Sequence, residues 1–147
     1  MRVVIQRASE ASVSIDGNTV GRIGRGYVCL VGFGAGDDEA KVERAVEKIR
    51  KLRIFQDDNG KTNLSIGEVG GGLLVVSQFT LYADCRKGTR PSFTEAAPPA
   101  LAQALYEYFV DKAGQHFTKV ACGRFGAAMQ VELVNDGPFT VVLESDT

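Results

Sequence analysis

Histidine is almost missing from this sequence: His116 is the single one among 147 residues. Cysteine is scarce as well, with only Cys29, Cys85 and Cys122. One imidazole and three scattered thiols make no zinc-ligand cluster, and their spacing matches no redox motif. An odd count argues against a disulfide framework. Cys29 sits in an apolar run and reads as a small core residue. Cys85 falls in a polar loop, where a catalytic thiolate would want an imidazole that the sequence does not place beside it.

An excess of charge of one sign is also absent. Lys and Arg number 17 and Asp and Glu 18, for a net charge of -1. That balance excludes indiscriminate coating of nucleic acid, so any RNA contact must come from a local patch. Long hydrophobic runs are missing too. Nothing approaches the roughly 20 apolar residues that span a bilayer, and "YVCLVGFGAG" is broken by glycines. Val3 to Ile5 is too short for the core of a signal peptide. The expected location is the cytoplasm, with no membrane partner. No repeat, low-complexity tract or linker divides the chain, and residues 1–147 are expected to form one domain.

What is present is a set of short periodic segments. Arg2 to Arg7 reads as a strand. "SVSI" (Ser12 to Ile15) alternates into the turn "DGN", and Thr19 to Ile23 returns. Tyr27 to Val31 is continuously apolar, as a central strand would be. Val42, Ala45, Val46 and Ile49 lie on one helical face, with Asp37 and Asp38 at the cap and first-turn positions. Leu52 to Phe55 and Asn63 to Ile66 read as short strands around "DDNG". "GEVGGG" (Gly67 to Gly72) lacks the lysine and strand-to-helix context of a phosphate loop, so it reads as a turn and implies no nucleotide cofactor.

Leu73 to Val76 is a buried strand. Pro98 and Pro99 open a second helix, whose buried face is expected to be Leu101, Ala104, Leu105, Tyr108 and Phe109, with Gly114 ending it. Phe117 to Cys122 reads as a strand. Ala128 to Val134 alternates, with Met129, Val131 and Leu133 on one face. "NDGP" (Asn135 to Pro138) reads as a turn, and Phe139 to Leu143 as the closing strand. About eight strands and two helices result. Their short hairpin connections imply an α+β fold with mostly antiparallel, barrel- or sandwich-like sheets and the helices packed on them.

Three stretches carry chemistry. Leu73 to Val76 runs into Ser77, Gln78, Phe79 and Thr80, with no His, Asp or Glu adjacent to serve as a base. A hydroxyl nucleophile needs such a base within reach. Gln78 has two donors and an acceptor to satisfy, which calls for a ligand or a partner segment. Backbone N–H groups at such a strand end can face an oxyanion. Gly137-Pro138 is a rigid tip with no Cβ at Gly137, suited to probing another surface closely. Arg86, Lys87 and Arg90 in "RKGTRP" are placed to hold phosphates. Three readings remain open on the residues alone: an ester hydrolase, a non-catalytic RNA-end binder, and a hydrolase using Thr80 with its own base.

The chain resembles the D-aminoacyl-tRNA deacylase family over its whole length. The resemblance is carried by "QRAS" (Gln6 to Ser9), "SQFTLYAD" (Ser77 to Asp84), "GTRPSF" (Gly88 to Phe93) and "GRFGAAMQVELVNDGPFT" (Gly123 to Thr140). It implies a homodimer with the active site at the interface, tRNA as substrate, no cofactor and no DNA partner. It also implies a cis Gly137-Pro138 tip that enters the other subunit's pocket. There its carbonyls take the substrate amino group, an L side chain collides, and a D side chain or glycine escapes. Ser77, Gln78 and the backbone of Phe79 and Thr80 would hold the ester, with Arg7 and Met129 supporting the tip. Phe139 stands where a smaller Val is common in the family.

Overall fold

Period-two alternation shapes the first strand of the computed structural model, which describes residues 1–145. Buried and partly buried positions alternate along both halves of β1 (Arg2–Ile15), a single strand whose alternation is interrupted only at Arg7 to Glu10, where its register with the last strand shifts. It turns through Asp16 and Gly17, both at positive φ, into β2 (Asn18–Ile23). β3 (Gly26–Gly32) follows, then helix α1 (Glu39–Lys51), a small hairpin of β4 (Phe55–Gln56) and β5 (Thr62–Leu64), and β6 (Gly72–Ser77). After a 3-10 turn, Phe79–Tyr82, come α2 (Pro99–His116), β7 (Lys119–Cys122) and β8 (Gln130–Glu144).

The main sheet runs β2-β1-β3-β6-β7, with β8 on the free edge of β1. Pairs of β1 with β2, β3 and β8, and of β4 with β5, are antiparallel. β3 with β6 and β6 with β7 are parallel, so the sheet is mixed. The two parallel joins follow from their crossovers, each of which contains a helix. The sheet curls almost shut: a Cβ on Gly21 of β2 would stand 3.2 Å from the Cys122 carbonyl of β7.

Continuous apolar runs belong where a strand is covered on both faces. Tyr27, Cys29 and Val31 of β3, with Leu73 and Val75 of β6, face the core under the helices. Val28 of β3, with Leu74 and Val76 of β6, faces a second core inside the curl with Ala8, Ala11, Val13 and Ile23. α1 buries Val42, Ala45, Val46 and Ile49, as its period requires. Its cap is Asp38, whose carboxylate accepts from Lys41 N at 2.9 Å. Asp37 has another task. It is buried, pairs with the Met1 ammonium at 2.7 Å, and accepts from Gly34 N at 2.7 Å.

Several boundaries differ from the sequence reading. α2 passes through Gly114 and ends at His116. Its buried residues are Ala102, Leu105, Tyr106, Phe109 and Ala113, while Ala104 is exposed and Leu101 and Tyr108 are only partly covered. The face is rotated because Tyr106 turns inward, donating its hydroxyl to Val75 O at 3.1 Å and Gly123 O at 2.7 Å. The strands expected at Leu52 to Phe55, Asn63 to Ile66 and Phe117 to Cys122 shorten to β4, β5 and β7. "NDGP" is no turn between two strands. β8 runs straight through it, paired with β1 on both sides.

Two glycines test this packing. A Cβ on Gly26 would stand 1.8 Å from the Gly72 carbonyl oxygen, backbone against backbone. Gly26→Ala is expected to cost about 3 kcal/mol or more in denaturant unfolding, at the upper end of overpacking. Gly114 has nothing within 4 Å of an added Cβ and lies inside a helix. Gly114→Ala is expected to stabilise by about 1 kcal/mol.

Candidate active site

The pocket begins where β6 stops. Ser77 is its last residue, and the chain then tightens into the Phe79–Tyr82 turn. Gln78 N donates to Val31 O at 2.7 Å, Leu81 N to Gln78 O at 3.2 Å, and Ala83 N to Thr80 O at 3.0 Å. Arg2 clamps the far side, donating to Leu81 O at 2.8 Å with its guanidinium 4.5 Å from the centre of the Tyr82 ring. Gly32 allows the turn to lie flat on β3, because a Cβ there would meet Gln78 O at 2.7 Å. The first amides of such a turn have no acceptor within it.

Beside this turn lies a cavity of about 510 Å³. Ser77, Gln78 and Phe79 form one wall, Val31 to Phe33 the floor, and Ala97, Pro99 and Ala102 the helix side. Phe125 to Ala127, Met129 and Val131 close it. None of these lining side chains is ionisable. Met129 lies flat on Gly123, where a Cβ would meet its sulfur at 2.5 Å.

Gln78 meets part of its hydrogen-bonding capacity locally: its side-chain amide donates to the Thr80 hydroxyl within the same turn. The amide cannot take a proton from Thr80, so it is no general base. His116 stands at the end of α2, in a separate cleft with Glu43, Glu47 and Lys112. The sequence left open a hydrolase using Thr80 with its own base; in the fold the Ser77–Thr80 turn and the imidazole are not brought together.

Gly137 and Pro138 lie elsewhere on the same chain. Ala8 pairs with Asn135 and Gln6 with Thr140, so Asp136, Gly137, Pro138 and Phe139 all face the single residue Arg7. The surplus chain bulges out as a tip. The Gly137-Pro138 peptide is cis, and both residues are exposed. Arg7, only 5% exposed, braces the tip from beneath. It donates from Nε to Asp136 O at 2.9 Å and from Nη1 to Ile54 O at 2.6 Å. Its guanidinium lies 4.7 Å from the centre of the Phe139 ring, which gives the bulky Phe139 a stacking role. Asn135 Oδ1 accepts from Phe139 N at 3.0 Å and closes the bulge. Sequence reasoning linked Arg7 to the tip through the resemblance but missed Asn135 and Phe139 as its braces. Met129 lies in the pocket wall, not against its own chain's tip.

Tip and pocket do not meet within one chain. Arg7 is level with Tyr27, while Ser77 is level with Val31, four residues further along β3. That is about 13 Å along the strands before any lateral offset is counted.

Arg86, Lys87 and Arg90 are exposed on a loop closed by Asp84 and Ser92, whose backbones exchange hydrogen bonds at 2.7 and 2.9 Å. Arg86 is not free. It grips Asp84 through two side-chain bonds at 2.8 and 2.7 Å. Those bonds hold the Asp84 carboxyl down at about 2.

The fold is an α+β domain with a largely apolar pocket and a polar turn at its rim. The family model for D-Tyr-tRNA(Tyr) deacylase matches residues 4–144. A D-aminoacyl-tRNA deacylase of Thermosipho africanus is 54% identical over 145 residues, covering 99% of this chain and 97% of the relative. One of Roseiflexus castenholzii is 55% identical, covering 99% and 92%. Among solved structures, a protein described as c-Myc DNA Unwinding Element Binding Protein superposes with a TM-score of 0.94 at 38% identity over both full chains. A probable eukaryotic D-amino acid tRNA deacylase shares the fold, with a TM-score of 0.84 at 19% identity over 97% of each chain. The chain belongs to the D-Tyr-tRNA(Tyr) deacylase family, a family of ester hydrolases.

The Asp84–Arg86 pair can be tested directly. A depressed carboxyl pKa means the pair is intact above the usual Asp value near 4 and is lost as pH falls through about 2. A carbon-detected NMR titration should put the Asp84 midpoint near 2; a midpoint near 4 would mean the pair does not form in solution.

Proposed function

We propose that the chain hydrolyses the ester joining a D-amino acid, or glycine, to the 3′ adenosine of tRNA, and spares L esters. One observation carries the reading: the cavity beside Ser77, Gln78 and Phe79 has no ionisable lining side chain. A site without its own base must draw reactivity from the substrate and water. The ribose 2′-hydroxyl, next to the esterified oxygen, orients a water molecule. The water oxygen bonds to the carbonyl carbon, the bond from that carbon to the ribose 3′ oxygen breaks, and the water proton ends on that oxygen. Ser77, Gln78 and the backbone of Phe79 and Thr80 hold the ester, and the amides opening the turn face the developing oxyanion. Thr80 acts through its backbone and its bond to Gln78, not as nucleophile.

The enzyme works as a homodimer in the cytoplasm. Each Gly137-Pro138 tip enters the pocket of the other subunit, where its carbonyls take the substrate amino group and its surface excludes an L side chain. The separation of tip and pocket within one chain supports this exchange. Lys87 and Arg90, with Arg86 partly neutralised by Asp84, meet the tRNA phosphates. The name of the 38%-identical relative raises DNA as another partner. A net charge of -1 and one short cationic loop favour a single RNA end over a duplex track.

The test is a paired time course on one tRNA charged with D- or L-tyrosine, with EDTA present. Loss of the D ester alone is expected. Equal loss of both would remove the chirality filter, and loss of neither would leave an RNA-end binder. Arg7→Lys should narrow the D-over-L ratio at least tenfold, because one ammonium cannot reach both Asp136 O and Ile54 O while covering Phe139. An unchanged ratio would detach the brace from selectivity.

A further inference from the structure

Two large aromatic side chains stand in water at the pocket mouth. Phe79 is 56% exposed and Phe93 is 39% exposed. Their rings contact one another, with centroids 5.0 Å apart and planes 57° apart. The fold holds this corner firmly. Phe79 belongs to the pinned turn at the end of β6. Phe93 follows directly on the Asp84–Ser92 bridge, and its carbonyl accepts from Ala96 N at 3.1 Å. Ala97 N in turn donates to Phe33 O at 2.9 Å, so both sides of the loop are tied to the cavity wall.

Phe79 lines the cavity and Phe93 does not. The corner therefore leads out of the site that the proposed function assigns to the terminal aminoacyl-nucleoside. The cations Arg86, Lys87 and Arg90 occupy the same loop, against the anions Asp84 and Glu95, both of which act on Arg86. Lys87 and Arg90 have no ion pair among the described residues. Exposed aromatic faces beside unpaired cations are the recognition chemistry of single-stranded nucleic acid: bases stack and phosphates meet charge. A protein partner would use the aromatics but leave those cations without counterparts.

We propose that Phe93, with Phe79, forms a stacking platform for a base just upstream of the terminal adenosine in the single-stranded 3′ end of RNA. The inference rests on the deacylase reading and adds a subsite to it. The two rings set affinity for the extended RNA end and take no part in breaking the ester, which falls to the backbone of the turn.

The test compares two substrates, a D-aminoacyl-tRNA and a D-aminoacyl-adenosine that lacks every upstream nucleotide. Phe93→Leu keeps apolar bulk and removes the ring. On tRNA its KM should rise about tenfold with kcat held, while kcat/KM on the aminoacyl-adenosine stays within twofold; Phe93→Tyr should restore the tRNA KM. Binding of an RNA hexamer ending in CCA, followed by fluorescence anisotropy, should weaken in parallel in Phe93→Leu without reference to turnover. Equal losses on both substrates, or no loss on either, would overturn the platform while leaving the deacylase reading intact. A shift of Phe93→Leu to a lower mass by light scattering would overturn it in favour of a contact between two copies of this chain. Failure of the wild type to cleave either substrate would overturn the deacylase reading itself, and unchanged hexamer binding would then remove the platform with it.

Discussion

β1 is the ruler against which the rest of the chain is set. It pairs along both edges, with β3 and then β2 on one side and β8 on the other. A side-chain period of two means that a slip by one residue would turn every inward group outward. Val3, Ile5, Ala11 and Val13 are almost fully buried while the residues beside Val3, Ile5 and Val13 are only partly so, which makes that slip prohibitively costly. Fixing β1 then fixes what stands beside it. Arg2 reaches the turn after β6, Arg7 reaches the tip in β8, and the span between them separates pocket from tip.

The two functional features use their polar groups in opposite ways. The pocket is lined by side chains that carry no charge, and the Gln78 amide bonds to Thr80 within the 3-10 turn. The tip is braced by a buried guanidinium whose donors are met by two carbonyl oxygens and whose face lies on an aromatic ring. Such a charge tolerates burial because Nε and Nη1 each donate to a carbonyl oxygen and Asp136 lies 3.9 Å away. A cavity with no ionisable lining side chain and a tip braced by hydrogen bonds fit the discrimination by shape proposed above.

Much of this was legible in the sequence because the information was local. The continuous apolar run Tyr27 to Val31 became a strand buried on both faces. The period of Val42, Ala45, Val46 and Ile49 became the buried face of α1. Where local signals misled, a tertiary contact had overridden them. Gly114 costs the helix too little to stop it while Ala113 before it and Phe117 after it are buried. "NDGP" has turn chemistry, yet β1 offers hydrogen bonds on both sides of it and keeps the strand going. Gln78 has a nearby hydroxyl that no count of donors in the sequence could foresee.

The sequence by itself determined the class of the fold, the buried face of α1, the buried strands β3 and β6 and the motifs that mark the family, because those follow from residue type and spacing. Only the tertiary structure decided that the hydroxyls and His116 stay apart, that Arg86 is spent on Asp84, and that the tip stands about 13 Å from its own pocket along the strands. Those are distances between residues remote in the chain, and strand register and sheet curvature set them.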